Sequence, residues 1–396
     1  MSSSEMRFLA VFNRHLIAGG EDQSHALEMR LLRERGHVVD EYLVDNRKIE
    51  DLGLLRTGLR TIWSQEGYRD VRERLRAHRY AAVLVQNTFP LISPSVFHAC
   101  RAEGVPVLYF IRNYRLFCLN GYFFRDGQVC EDCYRRVIPL AGIQHRCYRG
   151  SLAGSLTTAA MTVFHRAIGT WKRCVSGFVA LNPLMREKMV AAGMEAERIF
   201  VRPNFIHPDP GCGTAERGGA MFAGRLSPEK GVDWLVRTWI EEKIEIPLRI
   251  YGSGPLESTL GEQAAASPYV SLRGRLSSEE ILAVLGQSQV LIMPSLWYEG
   301  MPRIILEAMA KGTPVAAAKL GGMQDLVHEG ENGFLFVPGD AQALKAQVQR
   351  LFADVTLWQR LSLGARQSYE EAFTAERAYQ SLMSILEQVQ ARPYPA

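Results

Sequence analysis

Two glutamates flank a Gly-Met-Pro break in the segment that reads SLWYEGMPRIILEAMAKGTPV (residues 295–315). Pro302 suits the first position of a helix, because its missing N–H is not needed there. Gly312 and the proline two residues later then end that helix. Glu299 is therefore predicted in the loop before the helix, and Glu307 on the helix itself. Carboxylates placed in this way can accept hydrogen bonds from hydroxyls on different parts of one ligand.

A second interpretation of the same helix involves no ligand. Arg303, Glu307 and Lys311 recur at every fourth residue, which places them on one helix face. Charged residues at this spacing commonly form salt bridges on a solvated surface. The segment taken alone leaves both interpretations open.

Two cations flank a turn in the segment GRLSPEKG (residues 224–231). Arg225 and Lys230 lie on either side of a Ser-Pro pair, and a helix is predicted to begin near Gly231. Fixed cations beside a helix N-terminus favour the binding of a diphosphate, because charge-assisted donors converge there. An exposed basic turn without a ligand is the alternative.

Glycines also lie where predicted strands turn into helices. Gly19 and Gly20 precede the helical segment EDQSHALEMR, and Gly252 and Gly254 lie in YGSGPLE. Glycine lets a backbone approach a phosphate closely, although turns need glycine without any ligand. The first strand is not followed by G-x-G-x-x-G, so a nicotinamide-binding domain is not supported.

The whole chain has the composition of a soluble globular protein. Its 396 residues are 47% hydrophobic and 22% charged, and this length fits two domains of roughly 150–200 residues each. No segment approaches the roughly 18 apolar residues of a membrane span, and the N-terminus lacks a secretory hydrophobic region. We therefore expect a cytoplasmic protein whose seven cysteines do not form structural disulfides.

The net charge of +4 is unevenly distributed along the chain. Residues 101–175 contain 11 lysines and arginines against 4 aspartates and glutamates. Such a segment could face phosphates, an anionic glycan or the inner surface of a membrane. Nucleic acid is not indicated as a partner, because the sequence contains no DNA- or RNA-binding motif.

Short apolar runs alternate with helical stretches, which predicts parallel sheets covered by helices. The first series is RFLAVFN, HVVDEYLV, AAVLVQN, VPVLYFI and GFVALN, and the second is GAMFAGR, PLRIYGSG, YVSLRGR, VLIMPS, TPVAAAK and GFLFVPG. Between them lies PNFIHPDPGCGTAERGG (203–219), whose prolines and glycines indicate a linker. The sequence thus predicts two doubly wound α/β domains, with ligands at the carboxyl ends of the strands in the cleft between domains.

Four cysteines cluster in one segment of the first domain: Cys118, Cys130, Cys133 and Cys147. A Cys-x2-Cys spacing presents two thiolates to a tetrahedral zinc ion, and the outer two cysteines would complete a structural site. The outer spacings are irregular, and His145 is a competing ligand. A redox pair and ordinary thiols are the alternatives.

Several motifs occur in the order typical of family 4 glycosyltransferases, which this chain resembles over most of its length. They are FAGRLSPEKGVDWL, YGSGPLE, VSLRGRLSSEEI, MPSLWYEGMPRIILEAMAKGTPVAA and GGMQDLVHEGENGFLFVPGD, with AGGEDQ and TFPLISPSVFHACRAEGVPVLYFIRNYRLFC in the first half. Members of that family are retaining enzymes of GT-B architecture, so the resemblance implies two Rossmann-like domains that face a deep cleft. Residues 1–204 would form the acceptor-side domain, with a Cys-rich insertion at 113–150, and residues 205–372 the donor-binding domain. Residues 373–396 would form a helix that packs back on the first domain.

The resemblance also assigns roles to the residues singled out above. Glu299 would hold hydroxyls of the donor sugar and Glu307 the ribose, while Arg225 and Lys230 would neutralise the diphosphate. Asn204 matches an asparagine that the family often has at its interdomain linker. The donor-binding set implied is Gly19, Gly20, Arg225, Lys230, Gly252, Gly254, Arg275, Leu276, Glu299, Gly300, Met301, Pro302 and Glu307. The catalytic set is Arg225, Lys230, Glu299 and Arg112.

Two residues depart from the family pattern. Similar sequences commonly read HNYRL where this chain reads RNYRL, so Arg112 replaces a histidine, and Gln86 also occupies a frequent histidine position. Arginine cannot act as a neutral acceptor or as a base. It could bind a sugar carboxylate or the leaving phosphate instead. The chain could therefore use an altered donor or have lost catalysis.

The implied reaction moves a hexosyl unit, with retention, from a nucleoside-diphosphate sugar to a hydroxyl of a glycan, a lipid-linked saccharide or a natural product. A UDP-sugar is favoured over a GDP-sugar, and no catalytic divalent metal is expected. A peripheral contact with the inner membrane surface would suit a lipid-linked acceptor. The alternatives are a nucleotide-sugar-binding protein with altered catalysis and a GT-B epimerase.

Overall fold

The computed structural model describes residues 5–16, 19–214 and 216–394, which form two compact units. The first unit comprises the residues up to Tyr122, Glu131–Arg202 and the residues from Tyr379 onward. The second comprises Phe123–Cys130 and Pro203–Ala378. Each unit contains one six-stranded sheet whose paired strands are all parallel.

The regular elements alternate along the chain as the apolar runs predict. The strands are β1 (Arg7–Arg14), β2 (Val38–Asp45), β3 (Ala82–Asn87), β4 (Val107–Ile111), β5 (Phe124–Arg125), β6 (Gln128–Val129), β7 (Gly177–Ala180), β8 (Ile199–Val201), β9 (Ala220–Ala223), β10 (Leu248–Tyr251), β11 (Val270–Leu272), β12 (Val290–Met293), β13 (Val315–Ala318) and β14 (Gly333–Phe336). The helices are α1 (Gly20–Glu34), α2 (Lys48–Ile62), α3 (Gln65–Ala77), α4 (Ser95–Ala102), α5 (Leu140–Gln144), α6 (Leu152–Ala167), α7 (Thr170–Arg173), α8 (Pro183–Ala191), α9 (Val232–Glu241), α10 (Glu257–Ala264), α11 (Ser278–Gln287), α12 (Arg303–Ala310), α13 (Met323–Leu326), α14 (Ala341–Ala353), α15 (Val355–Ala372) and α16 (Ala375–Ala391).

Strand order places a switch point in each sheet. The first sheet runs β2-β1-β3-β4-β7-β8, and the second runs β11-β10-β9-β12-β13-β14. The chain therefore reverses its direction of growth between β1 and β3 in the first sheet, and between β9 and β12 in the second. Loops that leave adjacent strands at such a point diverge, and the gap between them is where open α/β sheets bind ligands.

The central strands are buried on both faces, which explains why they read as continuous apolar runs. Every residue of β3, β9, β12 and β13 is buried. A short antiparallel hairpin of β5 and β6 lies outside both sheets. The predicted class, two doubly wound parallel-sheet α/β domains, is confirmed. No helix in the described part of the chain is long and apolar enough to cross a membrane.

A buried chain of hydrogen bonds lies among the helices of the first unit. Thr170 Oγ1 contacts His98 Nε2 and His165 Nδ1, both at 2.8 Å. His165 Nε2 lies 2.7 Å from the carbonyl oxygen of Ile62, so this nitrogen carries the proton and donates. Nδ1 then accepts from the threonine hydroxyl, which in turn accepts from His98. The arrangement requires a neutral His165, and burial lowers the pKa of this fully buried imidazole to about 4.

This network predicts an acid-sensitive first unit. The unfolded chain protonates His165 near pH 6.5, whereas the folded chain does so only near pH 4. Because the unfolded state binds the proton more readily, the free energy of unfolding should fall by about 3 kcal/mol as the pH is lowered through this window. Urea denaturation of the protein and of H165Q, measured between pH 7 and about pH 4, checks this: the variant should show a flatter profile. H328Q removes an exposed histidine and serves as the control; parallel profiles for all three proteins would contradict the assignment.

Candidate functional site

Two loops of the second unit leave the sheet on either side of its switch point. The loop after β9 begins at Gly224 and ends in a 3-10 turn at Pro228–Lys230, directly before α9. The loop after β12 runs from Pro294 to Pro302, directly before α12. The sequence alone predicted helix starts near these positions, and the topology adds that both loops emerge at carboxyl ends of neighbouring strands.

Glycine makes the close packing of these loops possible. Gly231 has φ of +66°, and a Cβ atom built on it would lie 2.1 Å from the carbonyl oxygen of Pro294. The backbone N–H of Leu296 also donates to the carbonyl oxygen of Glu229 at 2.9 Å. A side chain at position 231 would separate the two loops, so the glycine is required by both its conformation and its surroundings.

Lys230 and Glu299 meet between the two loops. Lys230 Nζ donates to Glu299 Oε1 at 2.6 Å, and Ser295 Oγ donates to the same oxygen at 2.7 Å. The Lys230 ammonium also lies 5.3 Å from the ring centroid of Trp297. Glu299 is 4% exposed, so the pair is held in a low-dielectric setting where charge-assisted bonds are strong. Within the described residues, both recorded bonds of the carboxylate use Oε1, which leaves Oε2 to accept from a ligand hydroxyl.

The loop after β10 packs against the loop after β9 through glycine as well. Gly252 has φ of +141°, and a Cβ atom on it would lie 1.9 Å from the carbonyl oxygen of Gly224. Its N–H donates to the carbonyl oxygen of Gly274, in the loop after β11, at 2.8 Å. In that loop Arg275 is exposed and Leu276 is half-buried. Three loops predicted to contact a nucleotide thus lie together at one end of the sheet.

Helix α12 places Glu307 as the sequence predicts, with one correction. The helix begins at Arg303, so Pro302 is the residue before it rather than its first residue. Burial raises the pKa of the Glu307 carboxyl, and Arg303 lies 3.5 Å away. Lys311 donates instead to the carbonyl oxygens of Pro210 and Cys212. Of the predicted salt-bridged stripe only the Arg303–Glu307 pair forms; its two side chains are 14% and 15% exposed rather than solvated, and Lys311 bonds elsewhere.

Asn204 is linked to the loop before α12. Its backbone N–H lies 3.0 Å from Met301 Sδ, and its side-chain nitrogen donates to the Met301 carbonyl oxygen at 3.3 Å. Asn204 and Met301 are both buried. Gly300, between Glu299 and Met301, is therefore held by fixed neighbours on both sides. Arg225, in contrast, is exposed at the start of its loop.

The glycines of the first unit lie at the start of α1. Gly19 is the residue before the helix and Gly20 is its first residue. The carboxylate of Asp22 accepts from the N–H of Gly19 at 3.1 Å and lies 2.8 Å from His15 Nδ1. This hydrogen bond to Asp22 raises the pKa of His15. An internal carboxylate thus occupies the helix start, and binding of a ligand phosphate by the two glycines stays a prediction.

Arg112 and Gln86 are neighbours in the first unit. Arg112 Nη2 donates to Gln86 Oε1 at 3.3 Å, and both residues line a cavity of about 30 Å³ at the ends of β3 and β4. Gln86 is 3% exposed, and its Nε2 has no hydrogen-bond partner among the described residues. Arg115 lines the same cavity, with its guanidinium 4.3 Å from the ring centroid of Phe89. The two positions that depart from the family pattern are therefore brought together.

The predicted zinc site is not supported. Among the described residues, no group of three or more histidines, cysteines, aspartates or glutamates is arranged to hold a metal ion. All seven cysteines lie in the described part of the chain, and none forms a disulfide. Cys118 Sγ contacts Asn120 Oδ1 at 3.0 Å, and Cys133 Sγ accepts from the N–H of Gly142 at 3.2 Å. A Cys-x2-Cys spacing is thus an insufficient signal for a zinc site formed by Cys118, Cys130, Cys133 and Cys147.

Sequence reasoning missed three contributors to the site in the second unit. Ser295 holds the Glu299 carboxylate, Trp297 lies beside the Lys230 ammonium, and Gly322 donates its N–H to the Glu299 carbonyl oxygen at 2.9 Å. The serine lies four residues before the glutamate, and the doublet Gly321–Gly322 directly precedes α13. The positions of Ser295 and Gly322 in the sequence could have suggested a role in the site, because short polar residues and glycines are common in the loops where strands end.

Comparisons with known proteins agree with this architecture. Residues 217–354 match the family model described as "Glycosyl transferases group 1". The crystal structure of Anabaena HepE in complex with UDP and glucose superposes with a TM-score of 0.70 at 17% identity, covering 97% of this chain and 100% of that one. The two units therefore have the GT-B fold of glycosyltransferases. More particularly, the second unit carries a glycosyl transferases group 1 domain.

Two curated relatives match over shorter ranges. The sulfoquinovosyl transferase SQD2 of Arabidopsis thaliana is 30% identical over 162 residues, which is 40% of this chain and 31% of that protein. The amylovoran biosynthesis glycosyltransferase AmsK of Erwinia amylovora is 29% identical over 284 residues, 62% of this chain and 69% of that protein. The matches thus span between about a third and about two thirds of these relatives' length.

Proposed function

We propose that this chain is a retaining glycosyltransferase of family 4 that moves a hexosyl unit from a nucleoside-diphosphate sugar to a hydroxyl. The observation that carries this proposal is the assembly of Lys230, Glu299 and Ser295 at the switch point of the second sheet. A buried carboxylate beside a fixed cation can hold sugar hydroxyls and a diphosphate at adjoining positions. A UDP-sugar is the favoured donor, in keeping with the UDP and glucose bound to the HepE structure.

Each residue has a distinct part in the proposed reaction. Lys230 and the exposed Arg225 neutralise the charge that develops on the leaving diphosphate, which lowers the barrier to breaking the anomeric bond. Oε2 of Glu299 accepts from hydroxyls of the donor sugar and orients it. Backbone N–H groups of Gly300 and Met301 add donors before α12.

Glu307 would bind the ribose in this proposal. Its burial disfavours the charged carboxylate, as the raised pKa indicates. Two hydroxyls of a ribose diol would donate to that carboxylate and offset this cost. No step needs a divalent metal, because the diphosphate is neutralised by side chains.

In this proposal the first unit binds the acceptor. A glycan, a lipid-linked saccharide or a natural-product hydroxyl is the proposed acceptor, and AmsK is named for the biosynthesis of such a polysaccharide. We place the reaction in the cytoplasm, with contact to the inner membrane surface where the acceptor is lipid-linked. The Arg112–Gln86 pair favours a second candidate, a nucleotide-sugar-binding protein with altered catalysis, because neither side chain can replace a histidine as a base.

Nucleotide binding tests the proposal. UDP, GDP and dTDP and their sugars are added to the protein, to E307A and to R225A, and thermal unfolding is followed. A ligand at a hundredfold excess over Kd stabilises the native state by about 2.7 kcal/mol, so a clear rise in Tm with UDP is expected. The rise should be smaller in both variants, and R360A, which changes an exposed arginine of the same unit, should retain it. If no nucleotide raises Tm, the donor-site assignments fail.

A further inference from the structure

Large apolar side chains are exposed on one region of the first unit. Gly53 has a non-helical conformation inside α2, and three leucines follow it, of which Leu54 is 87%, Leu55 78% and Leu59 62% exposed. Burial of such side chains is the ordinary outcome in a monomeric protein. Three leucine side chains with this degree of exposure on consecutive turns indicate a surface that a binding partner covers.

The neighbouring helix extends the same apolar region. Helix α2 packs on α6, where Gly58 lies against the side chain of Thr157. Leu152 and Leu156, one turn apart on α6, are both about half exposed. The apolar face so defined consists of Leu54, Leu55 and Leu59 of α2 and Leu152 and Leu156 of α6.

Positive charge predominates in the chain that leads into and through α6. Between Cys133 and Arg186 the sequence contains no aspartate or glutamate. The same stretch contains Arg135, Arg136, Arg146, Arg149, Arg166, Lys172, Arg173 and Arg186. The first four of these arginines are exposed, and Arg146 and Arg149 lie shortly before Leu152 in the chain. On α2, Arg56 is exposed next to Leu55. Aspartate and glutamate side chains occur on α2 only before its kink, at Glu50 and Asp51.

From these observations we infer that the apolar face docks on an anionic lipid surface. Leucines on two adjacent helices would enter the interface between headgroups and acyl chains, and the surrounding arginines would contact lipid phosphates. A second copy of this chain would bring the same positive charges together, and this repulsion disfavours self-association through the face. The inference stands on the first unit alone, and it would bring the acceptor-side unit of the proposed enzyme to its lipid-linked substrate.

Vesicle binding tests this inference. The full-length protein is sedimented with vesicles of phosphatidylcholine, with and without phosphatidylglycerol, at low and high salt. Strong binding is expected only with phosphatidylglycerol, and it should weaken with salt because surface charges are screened. In the variant L55S/L59S, binding should fall at least about tenfold, since two leucine side chains no longer enter the interface.

A second variant isolates the charge contribution. Arg146 and Arg149 have φ of +50° and +54°, and asparagine tolerates this conformation better than most residues. Each arginine removed should weaken binding about fivefold, so R146N/R149N should bind the anionic vesicles about 25-fold less tightly. V355S changes an exposed valine of the second unit and should bind like the unchanged protein.

Other outcomes would overturn the inference. Absence of sedimentation with anionic vesicles, or equal binding by all four proteins, would show that the apolar face is not a lipid-docking surface. A concentration-dependent dimer that is lost in L55S/L59S, without vesicle binding, would assign the face to a second copy. Stabilisation by UDP, measured on the same samples, reports the donor site separately, so failure of one proposal is distinguishable from failure of the other.

Discussion

Replacing Lys230 by methionine is expected to lower kcat/KM for sugar transfer by about 10³-fold, or about 4 kcal/mol. The change removes the cation that bonds Glu299 Oε1 at 2.6 Å and that would neutralise the leaving diphosphate. Among the described residues, Glu299, at 4% exposure, would then retain only the Ser295 hydroxyl as a donor to that oxygen. Initial rates with a UDP-sugar and its acceptor, together with Kd for UDP, measure the effect. Both kcat/KM for sugar transfer and the affinity for UDP should fall.

A matched control is available in the same unit. Lys345 also pairs with a glutamate, Glu242, at 3.5 Å, but on α14 rather than beside the loops of the site. K345M should therefore change kcat/KM by less than about twofold, since a partly exposed pair contributes about 1 kcal/mol or less. A K230R variant keeps the charge and should recover part of the loss. If K230M transfers sugar as fast as K345M, Lys230 has no part in the reaction.

Breaking the ion pair between Arg202 and Glu28 should lower the free energy of unfolding of the first unit by about 3–5 kcal/mol. Both side chains are almost fully buried, and two parallel bonds of 2.8 and 2.7 Å join them. The Arg202 guanidinium also lies 5.8 Å from the ring centroid of Phe110. R202M would leave the Glu28 carboxylate buried without its cation, which is far more costly than losing the bonds themselves. Urea denaturation measures the change.

Two further variants test whether burial, rather than the ion pair itself, determines the loss of stability. R30M breaks the Arg30–Glu34 pair on the outer face of α1, where both side chains are exposed, and should cost less than about 0.5 kcal/mol. The double variant E28L/R202M removes both charges and should be more stable than R202M, because no buried charge is left unpaired. Equal destabilisation by R30M and R202M would contradict the role assigned to burial.

The sheets were largely predictable because of how they are buried. All eleven apolar runs identified in the sequence contain strands of the two sheets. The signal is strongest for β3, β9, β12 and β13, which are buried at every residue, because a strand covered on both faces has few polar positions to interrupt it. Strand β8 was missed because it has three residues, of which only Ile199 is buried. The hairpin of β5 and β6 was missed for a related reason: its strands have two residues each and no apolar alternation.

The site was predictable where its residues are close in sequence. It was not predictable where residues far apart in the sequence come into contact. The placement of Glu299 and Glu307 follows from the local break before α12. The long-range contacts of the site do not follow from local sequence. Lys230 is 69 positions from Glu299, and Lys311 bonds carbonyl oxygens about a hundred positions away. Periodicity favoured Lys311 as a partner of Glu307, but tertiary contacts satisfied its ammonium group elsewhere. Such pairings depend on strand order, which local patterns do not determine.

The glycine contacts among the loops of the second unit restrict how this protein could be re-engineered. Because Gly231 and Gly252 bring main chain against main chain, the spacing of the loops after β9, β10 and β12 has no side chain that could be trimmed or enlarged to adjust it. A mutant library aimed at a new donor should hold these two positions constant. Diversity belongs instead at Arg275 and Leu276, which are exposed and half-buried in the loop after β11.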